Sequence, residues 1–393
     1  MKLDKIKAIL GNYKIFLFLS GFMIISVIAI YNAQKFTYFK TTSLAFTQSI
    51  WYIISFIVII CLVKLDKETI INIMKKIYWP LLGALALLII IRFIPPLNQN
   101  RFIQIFIKET KGIYAWIRIP FLGSFQPSEF MKISLLFISA SIIDEHNQNK
   151  QEYTIRDDLL LFFKLSKYVI PALVLNVLQP DTGIPIIIII SLFFMLFCGG
   201  VKKRWFVIII TIILLMLGFI LFFYYFNPGI LKIFFKQDYQ LNRFYGWLDT
   251  TKYQTTYGYQ LYRSLTAIGA GHLLGISPDF SISIPEPHTD LIFSTISTTF
   301  GFVGAIITCG LCISFNFYLI KKAINCNDKF TRYIIAGLVG ILAYQQIQNI
   351  GMVIGLLPIT GITLPLISYG GSSLLSYMLV FGYLCSLDKK YIK

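Results

Sequence analysis

The stretch Ile284-Pro285-Glu286-Pro287-His288-Thr289-Asp290 stands directly before a long apolar run that begins at Leu291. It places a carboxylate, Asp290, beside an imidazole at the start of a predicted membrane helix. Ionisable groups at a membrane boundary are costly and are functional by default. We interpret the stretch as part of a functional site, with capping of the helix by Asp290 or Thr289 as the structural alternative.

The composition of the whole chain is that of a membrane protein. Hydrophobic residues make up 56% of the 393 positions and charged residues only 13%, far from the balance of a soluble domain. Ten apolar runs approach the ~20 residues that a helix needs to cross a bilayer. The runs lie at residues 15–33, 43–63, 77–94, 127–143, 168–179, 182–199, 205–226, 291–320, 334–356 and 369–387. The fifth run is short and ends before Pro180.

These runs predict an all-α polytopic membrane protein with about ten transmembrane helices, organised as one integral membrane domain over residues 1–393. A large extracellular loop, residues 227–290, precedes the eighth helix. A loop of that length in a compact protein is usually functional.

The distribution of basic residues predicts the orientation. Most of the 35 Lys and Arg residues fall at the two termini and in alternate connecting segments, which are expected to be cytoplasmic by the positive-inside rule. Both termini are therefore predicted on the cytoplasmic side of the membrane. The net charge of +17 is then explained by topology and by attraction to anionic membrane lipids, and it does not indicate nucleic-acid binding.

A second motif, Gln126-Pro127-Ser128-Glu129, opens the fourth apolar run and is followed by Lys132. Because Glu129 and Lys132 are three residues apart, they share one helix face. They form either a structural ion pair or a site in which Lys132 binds an anionic group that Glu129 orients. Upstream, Trp116 and Arg118 would add an aromatic platform and a second cation. Trp116 alone is equally typical of a membrane-interface anchor.

Two further stretches interrupt the apolar pattern. In Gln179-Pro180-Asp181-Thr182-Gly183, Asp181 is either an N-cap or a site residue. Residues 357–373 carry Pro, Gly and Ser at membrane level, where non-helical backbone is tolerated only if it is buried or lines a cavity.

The chemistry of the first motif follows from its place at the membrane boundary. Partial desolvation there would raise the pKa of the Asp290 carboxyl, which suits a general base. His288 is a hydrogen-bonding neighbour or a proton carrier.

Together these motifs resemble the SEDS family, the RodA/FtsW/SpoVE proteins of bacterial cell-wall synthesis. The resemblance covers residues 77–387 and rests on Gln-Pro-Ser-Glu, Gln-Pro-Asp, His-Thr-Asp-x-Ile-Phe and Pro-x-Ile-Ser-Tyr-Gly-Gly-Ser-Ser in this order. The stretch 348–352, followed by Ile359-Thr360-Gly361, is most similar to RodA-like members.

The resemblance implies an inverting peptidoglycan glycosyltransferase that uses lipid II as donor and acceptor at the outer face of the bacterial cytoplasmic membrane. By analogy Asp290 deprotonates the acceptor 4-hydroxyl, while Lys132 and Arg118 neutralise the leaving diphosphate. The other residues expected to bind substrate are Trp116, Glu129, Asp181, His288 and Ser368. A class B penicillin-binding protein is the expected partner. No cofactor is identified; a divalent cation could share in neutralising the diphosphate, but no spacing identifies its ligands.

The chain departs from the family pattern in three places. Ala115 precedes Trp116 where a basic residue is common, the helix after Asp290 carries Ser297-Thr298-Thr299 in place of two acids, and His272 follows a Gly-rich stretch. These changes suggest a divergent paralogue acting in elongation, division or sporulation. A lipid II flippase and a non-catalytic scaffold for a penicillin-binding protein are the alternative functions.

Overall fold

The chain folds into a bundle of long helices with one small hairpin. The computed structural model describes residues 13–36, 43–107, 109, 114–119, 123–149, 154–227, 238–276 and 283–387. In chain order the elements are α1 (Tyr13–Ala33), α2 (Leu44–Val63), α3 (Lys67–Lys76), α4 (Tyr78–Phe93), α5 (Pro95–Asn98), α6 (Arg101–Phe106), β1 (Ile117–Ile119), β2 (Gly123–Phe125), α7 (Pro127–Gln148), α8 (Ile155–Leu178), α9 (Gly183–Cys198), α10 (Lys203–Phe226), α11 (Asp238–Leu248), α12 (Tyr259–Ala270), α13 (Ile292–Ile324), α14 (Lys329–Val353) and α15 (Gly371–Ser386).

The predicted all-α polytopic architecture is confirmed. A helix lies at each of the ten apolar runs, and in the described part of the chain six spans are long and apolar enough to cross a bilayer. α9 and α15 are apolar but shorter. The total of ten crossings therefore stays a prediction.

The prediction of a short fifth helix was wrong. α8 is 24 residues long and begins at Ile155 instead of residue 168. Thr154 and Asp157 form a reciprocal capping box at its start, which satisfies backbone N–H groups of the first turn. The charged residues of the first turns lower the local hydropathy, so a hydropathy pattern misses this part of the helix.

The predicted extracellular loop contains two helices, α11 and α12, and α12 packs against α13. α13 is kinked at Gly301, whose φ of 64° lies in the left-handed region. A Cβ at Gly301 would lie 2.4 Å from the Leu273 carbonyl group, and Phe302 N donates to His272 O at 3.0 Å. The stretch around His272 also contacts residues 297–299, since Ile276 N donates to Thr298 O at 3.0 Å, so two of the three departures from the family pattern lie side by side.

The core lies where α2 packs on α15 and α9 on α14. Its largest fully buried side chains include Tyr52, Tyr377 and Phe22. α10 lies at the periphery: Phe206 is its one buried residue, so most of this helix would face lipid. The arrangement leaves a non-helical segment, residues 354–370, enclosed between the ends of α14, α15 and α13.

Candidate active site

Asp290 lies two residues before the first residue of α13, as the sequence predicts. The backbone turns sharply just upstream: Thr289 N and Leu291 N both donate to Glu286 O, at 3.2 and 3.3 Å. Glu286 has a φ of 45°, a conformation uncommon for residues other than Gly. The turn leaves the Asp290 side chain half-buried at the helix start.

The backbone of residues 354–370 approaches this carboxylate closely. A Cβ added to Gly361 would lie 3.4 Å from Asp290 Oδ2, and Gly361 itself has a φ of 79°. The Nδ2 atom of Asn349, on α14, donates to the backbone oxygens of both Asp290 and Ile362 at 2.8 Å. One buried amide therefore holds the two backbone segments together beside the carboxylate.

A second pair of contacts joins the same two segments. Tyr369 N donates to His288 O at 2.8 Å, and Ser368 Oγ donates to Thr289 O at 2.7 Å. The ring of His288 stands edge-on to that of Tyr369, with centroids 5.9 Å apart. The structure thus brings together three predicted site residues, Asp290, His288 and Ser368. The Ser368 hydroxyl serves here to position backbone.

Glu129 and Lys132 form the predicted ion pair. The Lys132 side chain is completely buried, and its Nζ also donates to Tyr377 OH at 2.7 Å. Tyr377 OH in turn donates to Gln345 Oε1. Tyr377 and Gln345 were missed by the sequence analysis, because a Tyr and a Gln inside apolar runs carry no signal of pairing with a distant Lys.

The N-cap position of α9 is Thr182, and Asp181, predicted as an N-cap or a site residue, stands one residue earlier and accepts hydrogen bonds from the first backbone N–H groups of the helix. Its Oδ1 accepts from Gly183 N at 3.1 Å and Ile184 N at 3.3 Å, and its Oδ2 accepts from Gln126 Nε2 at 3.2 Å. Burial, together with the nearby charge of Glu129, raises the pKa of Asp181 to about 6. Asp181 is therefore poised to change charge near neutral pH.

Ser372 joins the motif that begins at Gln126 to the non-helical stretch of residues 357–373. Its Oγ accepts from Gln126 N at 3.1 Å and donates to Ser124 O at 2.8 Å. Ile362 contacts the neighbouring motif, since its side chain lies 3.6 Å from a Cβ built on Gly183. All four sequence motifs therefore converge around residues 361–372.

The hairpin carries the remaining predicted residues. Arg118, on β1, pairs with Ser124 on β2 and its side chain is exposed, whereas Trp116 is half-buried and Ala115 buried. Within the described ranges Arg118 makes no side-chain hydrogen bond or ion pair. Because Ser124 also contacts Ser372, the hairpin places this cation at the edge of the site.

The divalent cation is not tested by the structure. Among the residues that are described, no three His, Cys, Asp or Glu side chains converge as a ligand set. Carboxylates are the ligands that Mg²⁺ and Ca²⁺ prefer, and here Glu129 and Asp181 are already engaged by Lys132 and Gln126.

The fold and this site define a polytopic membrane protein with an acidic group at a helix start, set against a non-helical membrane-level segment. A family model described as cell cycle protein, FtsW/RodA/SpoVE, matches residues 8–392. The chain belongs to this family.

Curated relatives agree with the family. The chain is 32% identical over 275 residues to the probable peptidoglycan glycosyltransferase FtsW of Wigglesworthia glossinidia brevipalpis, covering 67% of this chain and 66% of that protein. It is 28% identical over 284 residues to stage V sporulation protein E of Bacillus subtilis, covering 71% and 72%.

Solved structures share the fold. RodA of Thermus thermophilus aligns over 97% of both chains with a TM-score of 0.66 and 21% identity. A chain of a peptidoglycan synthase complex that coordinates polymerization and crosslinking aligns over 96% of this chain and 98% of its own length, with a TM-score of 0.72 and 23% identity. At these identities the likeness concerns the fold alone, so the RodA-like assignment stays a prediction.

Proposed function

We propose that this chain is a peptidoglycan glycosyltransferase that polymerises lipid II, with Asp290 as its general base. The observation that carries the proposal is the placement of Asp290: a half-buried carboxylate at a helix start, packed against Gly361 and braced by Asn349. A general base must lie within hydrogen-bond reach of the proton that it takes. Rigid bracing on both sides fits that requirement.

In the proposed reaction, Asp290 accepts the proton of the GlcNAc 4-hydroxyl of an acceptor lipid II. The oxygen attacks the anomeric carbon of MurNAc in the donor, and the bond from that carbon to the undecaprenyl diphosphate breaks with inversion. The proton then passes from Asp290 to water. The leaving group departs as the diphosphate, which must be stabilised by positive charge.

We infer the source of that positive charge from the burial of the two candidate cations. Lys132 is fully buried and its charge is balanced by Glu129, so we assign it to holding α7 against Tyr377 on α15. The exposed Arg118 at the edge of the site is the better candidate for contact with the diphosphate. Arg is well suited to this role because its planar guanidinium matches two phosphate oxygens.

A shallow crevice between α11 and α12 lies beside Ile359 of the non-helical segment. It is lined by Arg243, Trp247, Tyr257, Gln260 and Ile359 among others, and its cavity volume is about 20 Å³, room for roughly one water molecule. Trp247 Nε1 donates to Gly355 O at 2.9 Å. A crevice of this size is far smaller than a pocket that encloses a ligand, so we assign no glycan to it.

We place this reaction at the outer face of the cytoplasmic membrane, with both termini cytoplasmic as the basic residues predict. A class B penicillin-binding protein is the proposed partner. The complex named above, which coordinates polymerization with crosslinking, supports this pairing through its shared fold.

The test is polymerisation of purified lipid II by the detergent-solubilised chain with its cognate penicillin-binding protein, with moenomycin present to silence other transferases. Asp290→Asn should abolish glycan strands at equal expression and partner binding. The matched control is Asp66→Asn, an exposed carboxylate before α3 that makes no side-chain capping bond, and it should retain wild-type activity.

Equal product from wild type and Asp290→Asn would remove this residue from the mechanism. If the wild-type complex forms no glycan, the same samples in vesicles separate the alternatives. Lipid II movement across the bilayer would identify a flippase, and partner binding without movement would identify a scaffold.

A further inference from the structure

Three polar side chains of the first two helices reach the non-helical segment beside Asp290. Ser26 lies on α1, and Gln48 and Tyr52 lie on α2; all three are 0% exposed. Neither helix contributes to the four motifs around Asp290. Buried polar groups in an apolar helix are costly unless they are satisfied, so their partners indicate what they do.

The side chains of Ser26, Gln48 and Tyr52 form hydrogen bonds only with residues 366–370 or with one another, within the described part of the chain. Tyr52 OH donates to Leu366 O, and Ser26 Oγ donates to Ile367 O at 2.6 Å. Gln48 Nε2 lies 3.2 Å from Ser26 Oγ and 3.4 Å from Ser368 O.

The side-chain oxygen of Gln48 provides one more hydrogen bond to the same segment. Gly370 N donates to Gln48 Oε1 at 3.3 Å. The trio therefore serves three consecutive backbone carbonyls and one backbone N–H of a segment that has no helix or sheet to satisfy them. We call Ser26, Gln48 and Tyr52 the N-terminal latch.

The segment needs such support. Leu366 has a φ of 66°, a left-handed conformation that costs a residue other than Gly about 1–2 kcal/mol. Unsatisfied backbone groups at membrane depth cost several kcal/mol each. Strained backbone of this kind persists only where the surroundings determine it fully. The hydrogen bonds of the latch hold the strained segment in place from the side of α1 and α2.

The opposite side of the same segment holds the turn before Asp290. Ser368 accepts from the latch through its backbone oxygen and donates through its hydroxyl to Thr289 O. Tyr369 N, between the two latched positions 368 and 370, donates to His288 O. The path from Gln48 to the residue preceding Asp290 therefore passes through a single residue, Ser368.

We propose that the N-terminal latch positions Asp290: by holding residues 366–370, it sets where the carboxylate stands relative to the acceptor hydroxyl. The proposal rests on the proposed glycosyltransferase function for its kinetic consequence. Its structural part, coupling between α2 and residues 286–292, stands independently. Ser26, Gln48 and Tyr52 are positioning residues, since none of them contacts Asp290 itself.

The test compares Gln48→Met and Ser26→Ala with a matched control, Ser55→Ala. Ser55 is two turns further along α2, is 0% exposed, and its hydroxyl has no hydrogen bond among the described residues. Polymerisation of lipid II by the complex with the penicillin-binding protein gives kcat and KM. Hydrogen exchange of the peptides covering residues 364–370 and 286–292 reports the coupling directly.

Gln48→Met should lower kcat about tenfold to a hundredfold with little change in KM, because a misplacement of ~1 Å at the reacting centre costs that much. Exchange should rise in both peptides while α2 itself stays protected. Ser26→Ala should show the same pattern more weakly, and Ser55→Ala should match wild type. If Gln48→Met does not fold, Tyr52→Phe removes a single hydroxyl and carries the same test.

Two results would overturn the proposal. One is wild-type kcat and wild-type exchange in residues 286–292 for the latch variants. The other is a rise in hydrogen exchange throughout α1, α2 and the rest of the bundle. That result would mean that the latch residues only contribute to general packing. If wild type forms no glycan, the proposed function fails, and the exchange measurement still decides whether the latch holds the turn before Asp290.

Discussion

The side-chain Nδ2 atom of Asn349 donates to the backbone oxygen of Asp290 at 2.8 Å. The same atom donates to Ile362 O, also at 2.8 Å, so a residue near the C-terminal end of α14 ties the candidate base to the loop that packs against it. Asn349 is fully buried. Its position explains how a carboxylate preceding a helix can be held without a regular secondary structure around it.

We predict that Asn349→Ala removes the side-chain donor shared by the backbone oxygens of Asp290 and Ile362. Each loss costs about 1–3 kcal/mol, and the freed Asp290 turn should lower kcat at least about tenfold. Thermal unfolding in detergent and lipid II polymerisation measure the two effects. Asn147→Ala is the control, because Asn147 also donates two hydrogen bonds, to Gly199 O and Tyr333 OH. It should lose stability and keep its activity per folded molecule; equal activity losses would deny Asn349 a special role.

For the buried pair Glu129–Lys132 we predict a double-mutant cycle in which the effects on the free energy of unfolding are strongly non-additive. Lys132→Met alone strands a carboxylate in the core and should cost about 3–5 kcal/mol. Adding Glu129→Gln removes that charge, so the double variant should be more stable than Lys132→Met. Thermal unfolding of the four proteins gives the coupling energy.

The control for this cycle is Lys67→Met, which breaks the partly exposed pair with Asp328 at 2.5 Å. Exposed pairs contribute about 0–1 kcal/mol, so the loss there should be small. Additive effects of Glu129→Gln and Lys132→Met would contradict the assignment of Lys132 to structure.

Asp181 predicts a pH dependence of stability. Its pKa in the fold is about 6, above its ordinary value of 3.8, so the folded chain holds this proton more tightly than the unfolded chain. Its contribution to stability therefore falls as pH rises between those two values and is constant above about pH 7. Asp181→Asn should remove this slope. The measurement is the unfolding midpoint of both proteins across that range, and a difference that does not vary with pH would be inconsistent with a raised pKa.

Close packing of α2 on α15 predicts that a destabilising substitution at Gly371 can be partly compensated by a second substitution at Trp51. A Cβ at Gly371 would lie 2.2 Å from the indole ring of Trp51, so Gly371→Ala should destabilise the chain by about 1–3 kcal/mol or more. Trp51→Ala in the same chain should recover part of that loss by opening space. Gly83→Ala is the control, since nothing lies within 4 Å of its Cβ. Failure of Trp51→Ala to improve Gly371→Ala would show that the clash is not the cause.

Much of the fold was accessible from the sequence because the bilayer imposes it. Apolar runs of about 20 residues must become helices, since lipid leaves backbone groups no other partner. The start of α8 was not accessible, because a polar capping box and charged first turns look like a connector in a hydropathy pattern. The pairing of Lys132 with Glu129 was one of two predicted outcomes, as both lie on one helix face three residues apart.

The sequence by itself determined the class of the protein, the positions of its long apolar helices apart from the start of α8, and the identity of the acidic residue at the start of α13. Local composition and short spacing carry that information. Only the tertiary structure brought Asn349, Tyr377 and the residues of the proposed N-terminal latch together around the candidate site. Gln48 and Gly370 are 322 residues apart, and a contact over such a separation leaves no local pattern: it exists because packed helices must satisfy the backbone of a broken segment where no water can.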